Sequence, residues 1–245
     1  MTENPALEQG ERLDSLGIHD WHVIQREDEF RFSIDAVLLA HFATVKTGAL
    51  AADLGTGTGA VAHFLMARGC NTVTGFEIDP RMTGMANRTA AMNHLAERFQ
   101  VISGDIRFIR KLSPAGRFDL VTANPPYRMA VSGRISPKAG IARACHEMTA
   151  DLGDFVRAAA FILKVRGRLA MIHLPERLPD LFSEMRDAGM EPKRMRLVHP
   201  MLERSPKMVL IEAIKGARPG LSVMPPLVIY REPGVYDPEI LSYYR

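Results

Sequence analysis

The chain has 245 residues, 47% of them hydrophobic and 24% charged, and this balance predicts a globular fold with a large buried core. Its apolar runs are far shorter than the roughly 20 residues of a membrane-spanning helix, and the N-terminus lacks a signal-peptide pattern, so we expect a cytoplasmic protein without a membrane partner. The 31 basic and 28 acidic residues give a formal net charge of +3, which permits a polyanionic partner without requiring one.

The segment before the first predicted strand is too short for an independent domain. Apolar residues at helical spacing between Phe30 and Phe42 predict a helix, with Ser33 or Asp35 at its start. We therefore expect residues 1–48 to form an extension that packs on a single domain of residues 49–245.

From Ala49 the sequence alternates short apolar runs with amphipathic stretches, which is typical of an α/β fold with a parallel sheet. We predict strands near 49–54, 72–78, 99–103, 118–123 and 168–174, and helices near 59–68, 81–95, 153–164 and 176–188. Two further strands, 194–199 and 208–215, are separated by too few residues for a crossover helix, so they should pair as an antiparallel hairpin. The result is a doubly wound, mostly parallel seven-stranded sheet with one antiparallel strand from the C-terminal hairpin.

A glycine-rich turn follows the first of these strands, in the segment Asp53-Leu-Gly-Thr-Gly-Thr-Gly59. Glycines such as Gly55, Gly57 and Gly59 let the backbone turn sharply and approach a ligand closely. Two more acids follow the next two strands, Glu77 and Asp105, and parallel strands end at one edge of a sheet. The three acids and the turn therefore predict a nucleoside pocket at that edge, although each acid could instead cap a turn or helix.

The chemistry of this turn distinguishes between nucleoside ligands. The glycine spacing is GxGxG, not the GxGxxG that binds a dinucleotide pyrophosphate, and an acid stands two residues before it. An acid suits a cationic ligand, and S-adenosylmethionine carries an ammonium group and ribose hydroxyls but no phosphate. We therefore expect S-adenosylmethionine as cofactor, S-adenosylhomocysteine as its product, and no metal, because the histidines and cysteines show no ligand spacing.

The fourth strand runs into the segment Asn124-Pro-Pro-Tyr127. An exocyclic amine of adenine is a poor nucleophile because its lone pair is delocalised into the ring. The side-chain oxygen of Asn124 and the carbonyl of Pro125 could accept its two N–H groups, and Tyr127 after Pro126 offers a face on which the base stacks. These four residues are the predicted catalytic set, unless the segment is only a turn that ends a strand.

Together, the glycine-rich turn and Asn-Pro-Pro-Tyr resemble the class I S-adenosylmethionine-dependent amino-methyltransferases, which have a Rossmann-like fold. The chain is further similar to the bacterial family of tRNA adenine N6-methyltransferases that modify adenine 37 of a valine tRNA. The segments that carry this narrower resemblance are Phe30 to Ala40, Ala142 to Glu147, and Pro225 to Tyr230 with Tyr236. The resemblance implies that Asp53, Gly55, Gly57 and Glu77 bind the cofactor, with Asp105 near its adenine. It also implies that Ser33 and Asp35 approach its methionyl end.

The Asn-Pro-Pro-Tyr segment does not identify the substrate, because it also occurs in enzymes that act on guanine N2 of RNA or on glutamine of proteins. Basic residues favour RNA, most simply tRNA, and the predicted phosphate contacts come from two clusters. They are Arg128, Arg134, Lys138 and Arg143 after the motif, and Arg194 and Lys207 in the hairpin. The alternative from a different functional class is a non-catalytic RNA-binding protein with the same fold. The oligomeric state is not predicted.

Overall fold

The computed structural model describes residues 7–26, 34–126 and 150–244. An antiparallel hairpin near the N-terminus, β1 (Glu11–Ser15) with β2 (His22–Arg26), precedes the first helix of this part of the chain, α1 (Ile34–Phe42). Within these ranges, every helix is too short or too polar to cross a bilayer.

Seven strands form the main sheet, as the alternating pattern predicts. In chain order they are β3 (Leu50–Leu54), β4 (Thr72–Glu77), β5 (Phe99–Ser103), β6 (Phe118–Ala123), β7 (Leu163–His173), β8 (Met190–His199) and β9 (Met208–Lys215). Their order across the sheet is β8-β9-β7-β6-β3-β4-β5, and β9 alone runs antiparallel to both neighbours. The predicted fold is confirmed, and two two-residue strands, β10 (Ser222–Val223) and β11 (Leu227–Val228), extend the sheet along β8.

The strand order reverses direction at β3, which lies between β6 and β4. The parallel strands β3 to β8 therefore end together at one side of the sheet, called here the carboxyl edge. Open α/β sheets bind ligands at such a reversal point, just beyond the strand ends.

Helices cover both faces of the sheet and bury its apolar side chains. The remaining helices are α2 (Ala60–Ala67), α3 (Pro80–Met92), α4 (Ile109–Leu112), α5 (Leu152–Ile162), α6 (Leu178–Asp187) and α7 (Pro238–Ser242). The first three helices pack on one face, and α4, α5 and α6 pack on the other. Helix α3 begins where Asp79 accepts a hydrogen bond from Arg81 N and proline occupies the first turn, and α5 begins with a capping box between Asp151 and Asp154.

The N-terminal segment is tied to the face that carries α3. The backbone N–H of Ile24 donates to Thr89 Oγ1 at 3.1 Å, and the side chain of Asn93 exchanges two hydrogen bonds with the backbone of His22. Beyond α1, Thr44 N donates to the buried carboxylate of Glu212 at 2.7 Å. Because Glu212 lies opposite Ala170 of β7, this hydrogen bond ties the residue that follows α1 to the sheet.

Candidate active site

The glycine-rich turn folds back over the end of β4. The N–H groups of Gly55 and Thr56 both donate to Phe76 O, at 2.8 and 3.1 Å. Gly55 and Gly57 have φ angles of 69° and 56°, a region that is costly for residues with a Cβ. A Cβ on Gly57 would meet no atom within 4 Å, so the turn leaves open space above it.

The third glycine of the turn, Gly59, also has a structural reason to be glycine. It has a φ of 87° and lies at the start of α2, outside the lining of the cleft described below. A Cβ there would lie 2.5 Å from the ring of Phe99. The contact of Gly59 with the cofactor stays a prediction.

Asp53 lies beneath the turn and does not line the cleft. Its side chain is buried, and its two oxygens accept hydrogen bonds from the hydroxyls of Thr122 and Thr56, each at 2.7 Å. Burial raises the pKa of Asp53 to about 6, although the two threonine hydrogen bonds oppose that change. In this position Asp53 joins the turn to β6, and its contact with the cofactor stays a prediction.

Glu77, at the end of β4, faces the cleft and holds the turn in place. One oxygen accepts from Gly57 N at 2.8 Å and the other from Asp79 N at 3.0 Å. Each carboxylate oxygen has a second lone pair, so Glu77 can still accept hydrogen bonds from a ligand in the cleft.

Asp105, just beyond β5, also faces the cleft. Its side chain accepts from Arg107 N at 2.9 Å, which caps a short 3₁₀ turn of residues Ile106–Phe108, and it forms an ion pair with Arg107 at 2.6 Å. The hydrogen bonds from Arg107 lower the pKa of Asp105, so this carboxyl group is ionised at neutral pH.

These elements surround a cleft of about 200 Å³ at the carboxyl edge. Its lining residues are Gly55, Phe76, Glu77, Ile78, Gly104, Asp105, Ile106, Asn124, Pro126, Ala150 and Phe155. The set contains two carboxylates, a side-chain amide and several apolar side chains, but no basic residue. Asn124 is half-buried and follows β6 directly, so an amide lies across the cleft from the acids.

The lining fits S-adenosylmethionine better than a phosphorylated nucleotide. Carboxylates accept hydrogen bonds from ribose hydroxyls, and apolar walls such as Ile78 and Ile106 suit an adenine ring. A pyrophosphate would meet two carboxylates and no described cation. The described residues also contain no cluster of histidine, cysteine or carboxylate side chains arranged for a metal ion.

Six lining residues were not among the predicted site residues: Phe76, Ile78, Gly104, Ile106, Ala150 and Phe155. Ile78 and Ile106 each follow a predicted acid directly, a pattern that could have indicated them. Phe155 comes from α5, and no local signal in the sequence links that helix to the cleft.

Other predicted site residues lie away from the cleft or outside the described ranges. Asp35 is buried in the first turn of α1 and is not part of the lining. Ser33, Tyr127, Arg128, Arg134, Lys138 and Arg143 lie outside the described residues.

The two basic hairpin residues differ sharply. Arg194 donates to the carbonyl of Phe42, stacks 4.4 Å over the ring of that residue and approaches the buried Glu212 at 3.5 Å. These contacts hold the guanidinium of Arg194 against Phe42 and Glu212, and its contact with RNA stays a prediction. Lys207 is exposed in the loop between β8 and β9, which lies at the carboxyl edge.

Comparison with known proteins agrees with this geometry. A methyltransferase domain family matches residues 51–153. The tRNA1(Val) (adenine(37)-N6)-methyltransferase of Porphyromonas gingivalis is 33% identical over 193 residues, which cover 76% of this chain and 74% of that protein. The enzyme of the same name from Tolumonas auensis is 26% identical over 93% of this chain and 94% of its own length.

A solved structure matches the fold. It is a predicted O-methyltransferase from Agrobacterium tumefaciens, with a TM-score of 0.69 and 23% sequence identity over 86% of this chain and 95% of that one. At this identity the match supports the fold, while the sequence relatives establish the family. The chain belongs to the tRNA1(Val) (adenine(37)-N6)-methyltransferase family.

Proposed function

We propose that this protein transfers a methyl group from S-adenosylmethionine to the exocyclic N6 of an adenine in tRNA, at position 37 of a valine tRNA. The names of its relatives support this substrate. The observation that carries the proposal is the position of Asn124 and Pro126 in the same cleft as Glu77 and Asp105. A cofactor site and an acceptor for an amine thus share one cavity.

The acidic side of the cleft would hold the cofactor. Glu77 would accept hydrogen bonds from the ribose hydroxyls, Asp105 would lie near the adenine, and Ile78 and Ile106 would provide apolar contacts for its ring. Gly55 and Gly57 allow close approach of the backbone because no Cβ intervenes. When bound, S-adenosylmethionine supplies a methyl group on a positively charged sulfur, and that carbon–sulfur bond breaks as the new nitrogen–carbon bond forms.

The amide side would activate the target amine. Asn124 Oδ1 accepts one N–H of adenine N6, and the carbonyl of Pro125 accepts the other. Two acceptors favour a more tetrahedral nitrogen, whose lone pair is then directed at the methyl carbon. The contribution of these residues is orientation and electrostatics, so the cleft does not require an acid or base of altered pKa. Tyr127 would stack on the base.

Around the cleft, basic residues would contact the RNA. Lys207 lies in the loop after β8, three strands away from β6, a separation of roughly 15 Å at about 4.8 Å per strand. Arg128, Arg134, Lys138 and Arg143 follow the catalytic segment in the chain and remain proposed phosphate contacts.

The N-terminal residues 1–48 would act as an extension of the catalytic domain, residues 49–245. The hydrogen bonds of β2 with Thr89 and Asn93 support this division, because they attach the hairpin to α3.

The proposal is tested by incubating the protein with methyl-labelled S-adenosylmethionine and either total bacterial RNA or total bacterial protein. The expected product is N6-methyladenosine in the tRNA fraction. Label in N2-methylguanosine or methylglutamine would contradict the substrate. Cofactor binding without any labelled product would favour a non-catalytic RNA-binding protein.

A further inference from the structure

An exposed, basic segment connects β5 to β6 beside the cleft. The residues that form it, called here the basic stripe, are Arg107, Phe108, Arg110, Lys111 and Arg117. All five are exposed, and Phe108 exposes 57% of its surface, which is unusual for a phenylalanine with no ligand or partner over it.

Three cations of the stripe are held by aromatic rings instead of carboxylates. The guanidinium of Arg110 lies 4.6 Å from the ring centroid of Phe161, and that of Arg117 lies 5.4 Å from the centroid of Phe118. The Nζ atom of Lys111 lies 5.5 Å from the centroid of Phe108. None of these three cations forms an ion pair with a described residue, so the rings orient the charges without neutralising them.

Several basic side chains elsewhere in the described chain are neutralised. Arg168 pairs with Glu212 at 2.6 Å, and Arg157 pairs with Asp154 at 2.8 Å. Within the stripe, only Arg107 has such a partner, Asp105. The stripe is therefore a surface whose positive charge is oriented but largely uncompensated, as expected for a site that binds a polyanion.

The position of the stripe connects it to the cleft. It begins immediately after Asp105 and Ile106, which line the cleft. It then crosses the face covered by α5, where Gly116 N and Arg117 N donate to the last carbonyls of that helix at 3.1 and 2.8 Å. Arg117 precedes β6, so the stripe runs the length of that strand, about 20 Å for six residues at about 3.3 Å each.

We propose that the basic stripe binds the RNA phosphate backbone next to the target base, with the exposed face of Phe108 available to an unpaired base. This inference rests on the proposed function. Phosphates of one strand in a duplex are spaced by about 3.4 Å along its axis, so a track of this length spans several of them. Stacking on Phe108 would add affinity for single-stranded nucleotides near the cleft.

The test measures tRNA binding without cofactor, over a range of salt concentrations. In the double variant R110Q/K111Q, the slope of log affinity against log salt should fall by about 2, with a roughly tenfold weaker affinity at 0.15 M salt. The matched control, K193Q/R218Q, removes two neighbouring cations, one near the start of β8 and one just after β9, away from the carboxyl edge, and should retain the wild-type slope. In methyl-transfer assays, R110Q/K111Q should show a raised KM for tRNA, in step with its weaker binding, and K193Q/R218Q should keep the wild-type KM.

Phe108 is tested separately with F108A, for which V223A is the control because Val223 is similarly exposed, at 64%, on the edge strand β10. We expect F108A to weaken tRNA binding without changing its salt dependence, and V223A to have no effect. Unchanged binding in both R110Q/K111Q and F108A would overturn the inference.

The same assays separate this inference from the proposed function. Variants that bind and methylate tRNA like the wild type would overturn the inference and leave the function in place. A wild-type protein that binds tRNA through the stripe but transfers no methyl group would overturn the function alone. A wild-type protein that does not bind tRNA would overturn both.

Discussion

The two sides of the cleft differ in the chemistry of their side chains. The acidic side consists of Glu77 and Asp105, whose carboxylates are fixed by hydrogen bonds from backbone N–H groups. The other side consists of an amide and prolines at the end of β6, with no charged side chain among the described lining residues. The difference indicates that the two sides have separate functions: the acidic side binds the cofactor, and the amide side accelerates methyl transfer. Substitutions on the two sides should therefore have separable effects.

The largest effect is expected from Asn124→Ala on the amide side. Removing one preorganised acceptor should lower the turnover number by about 10² to 10³, the usual scale for loss of such a group. The dissociation constant of S-adenosylmethionine, measured by calorimetry, should not change, because the acidic side is intact. Turnover at the wild-type rate would remove Asn124 from the mechanism.

A smaller effect, on cofactor affinity instead of turnover, is expected from Glu77→Gln. The variant weakens hydrogen bonds that involve a charged acceptor, so cofactor affinity should fall about 10- to 100-fold. With saturating cofactor, the turnover number should fall much less than in Asn124→Ala. If Glu77→Gln reduced turnover and left the dissociation constant unchanged, the proposed division between the two sides would be wrong.

The smallest effect on the cleft is expected from Asp53→Asn, because this side chain lies beneath the turn. Its main effect should be on stability. The pKa of Asp53 is about 6 in the folded protein and 3.8, the ordinary value of an aspartate, in the unfolded chain. At pH values between the two, the folded state therefore binds more protons than the unfolded state. Wild-type stability from this group is therefore lost as the pH rises from about 4 to 6, and the asparagine variant avoids that loss.

Chemical denaturation at several pH values provides the measurement. The free energy of unfolding of Asp53→Asn relative to the wild type should increase by about 2 kcal/mol between pH 4 and pH 6, at about 1.36 kcal/mol for each pKa unit. Using the difference between the two proteins cancels the contributions of other carboxyl groups, such as Asp105. A difference that does not change with pH would contradict the raised pKa.

The fold was predictable because strands and amphipathic helices alternate in the sequence, and the order of this alternation determines the sheet. The positions of Glu77, Asp105 and Asn124 in one cleft were predictable for the same reason, since parallel strands end at one edge of the sheet. The direction of the Asp53 side chain was not, because it depends on Thr122, which lies 69 residues away in the chain.

Surface charge was the least predictable property. The sequence of the hairpin indicated Arg194 as a basic surface residue, but not that its side chain contacts Phe42 and Glu212, which are distant in the chain. The basic stripe was not predictable from the local sequence, because one of its cations, Arg110, is oriented by the ring of Phe161 on another helix. Such pairings between distant segments decide which charges face solvent, and local patterns do not record them.

The most direct test of the central claim compares two transcripts of a valine tRNA that differ only at position 37, one with adenine and one with guanine. With labelled S-adenosylmethionine, we predict up to one methyl group per molecule of the adenine transcript, recovered as N6-methyladenosine, and none on the guanine transcript. Equal labelling of the two transcripts, or recovery of N2-methylguanosine, would contradict methyl transfer to adenine 37.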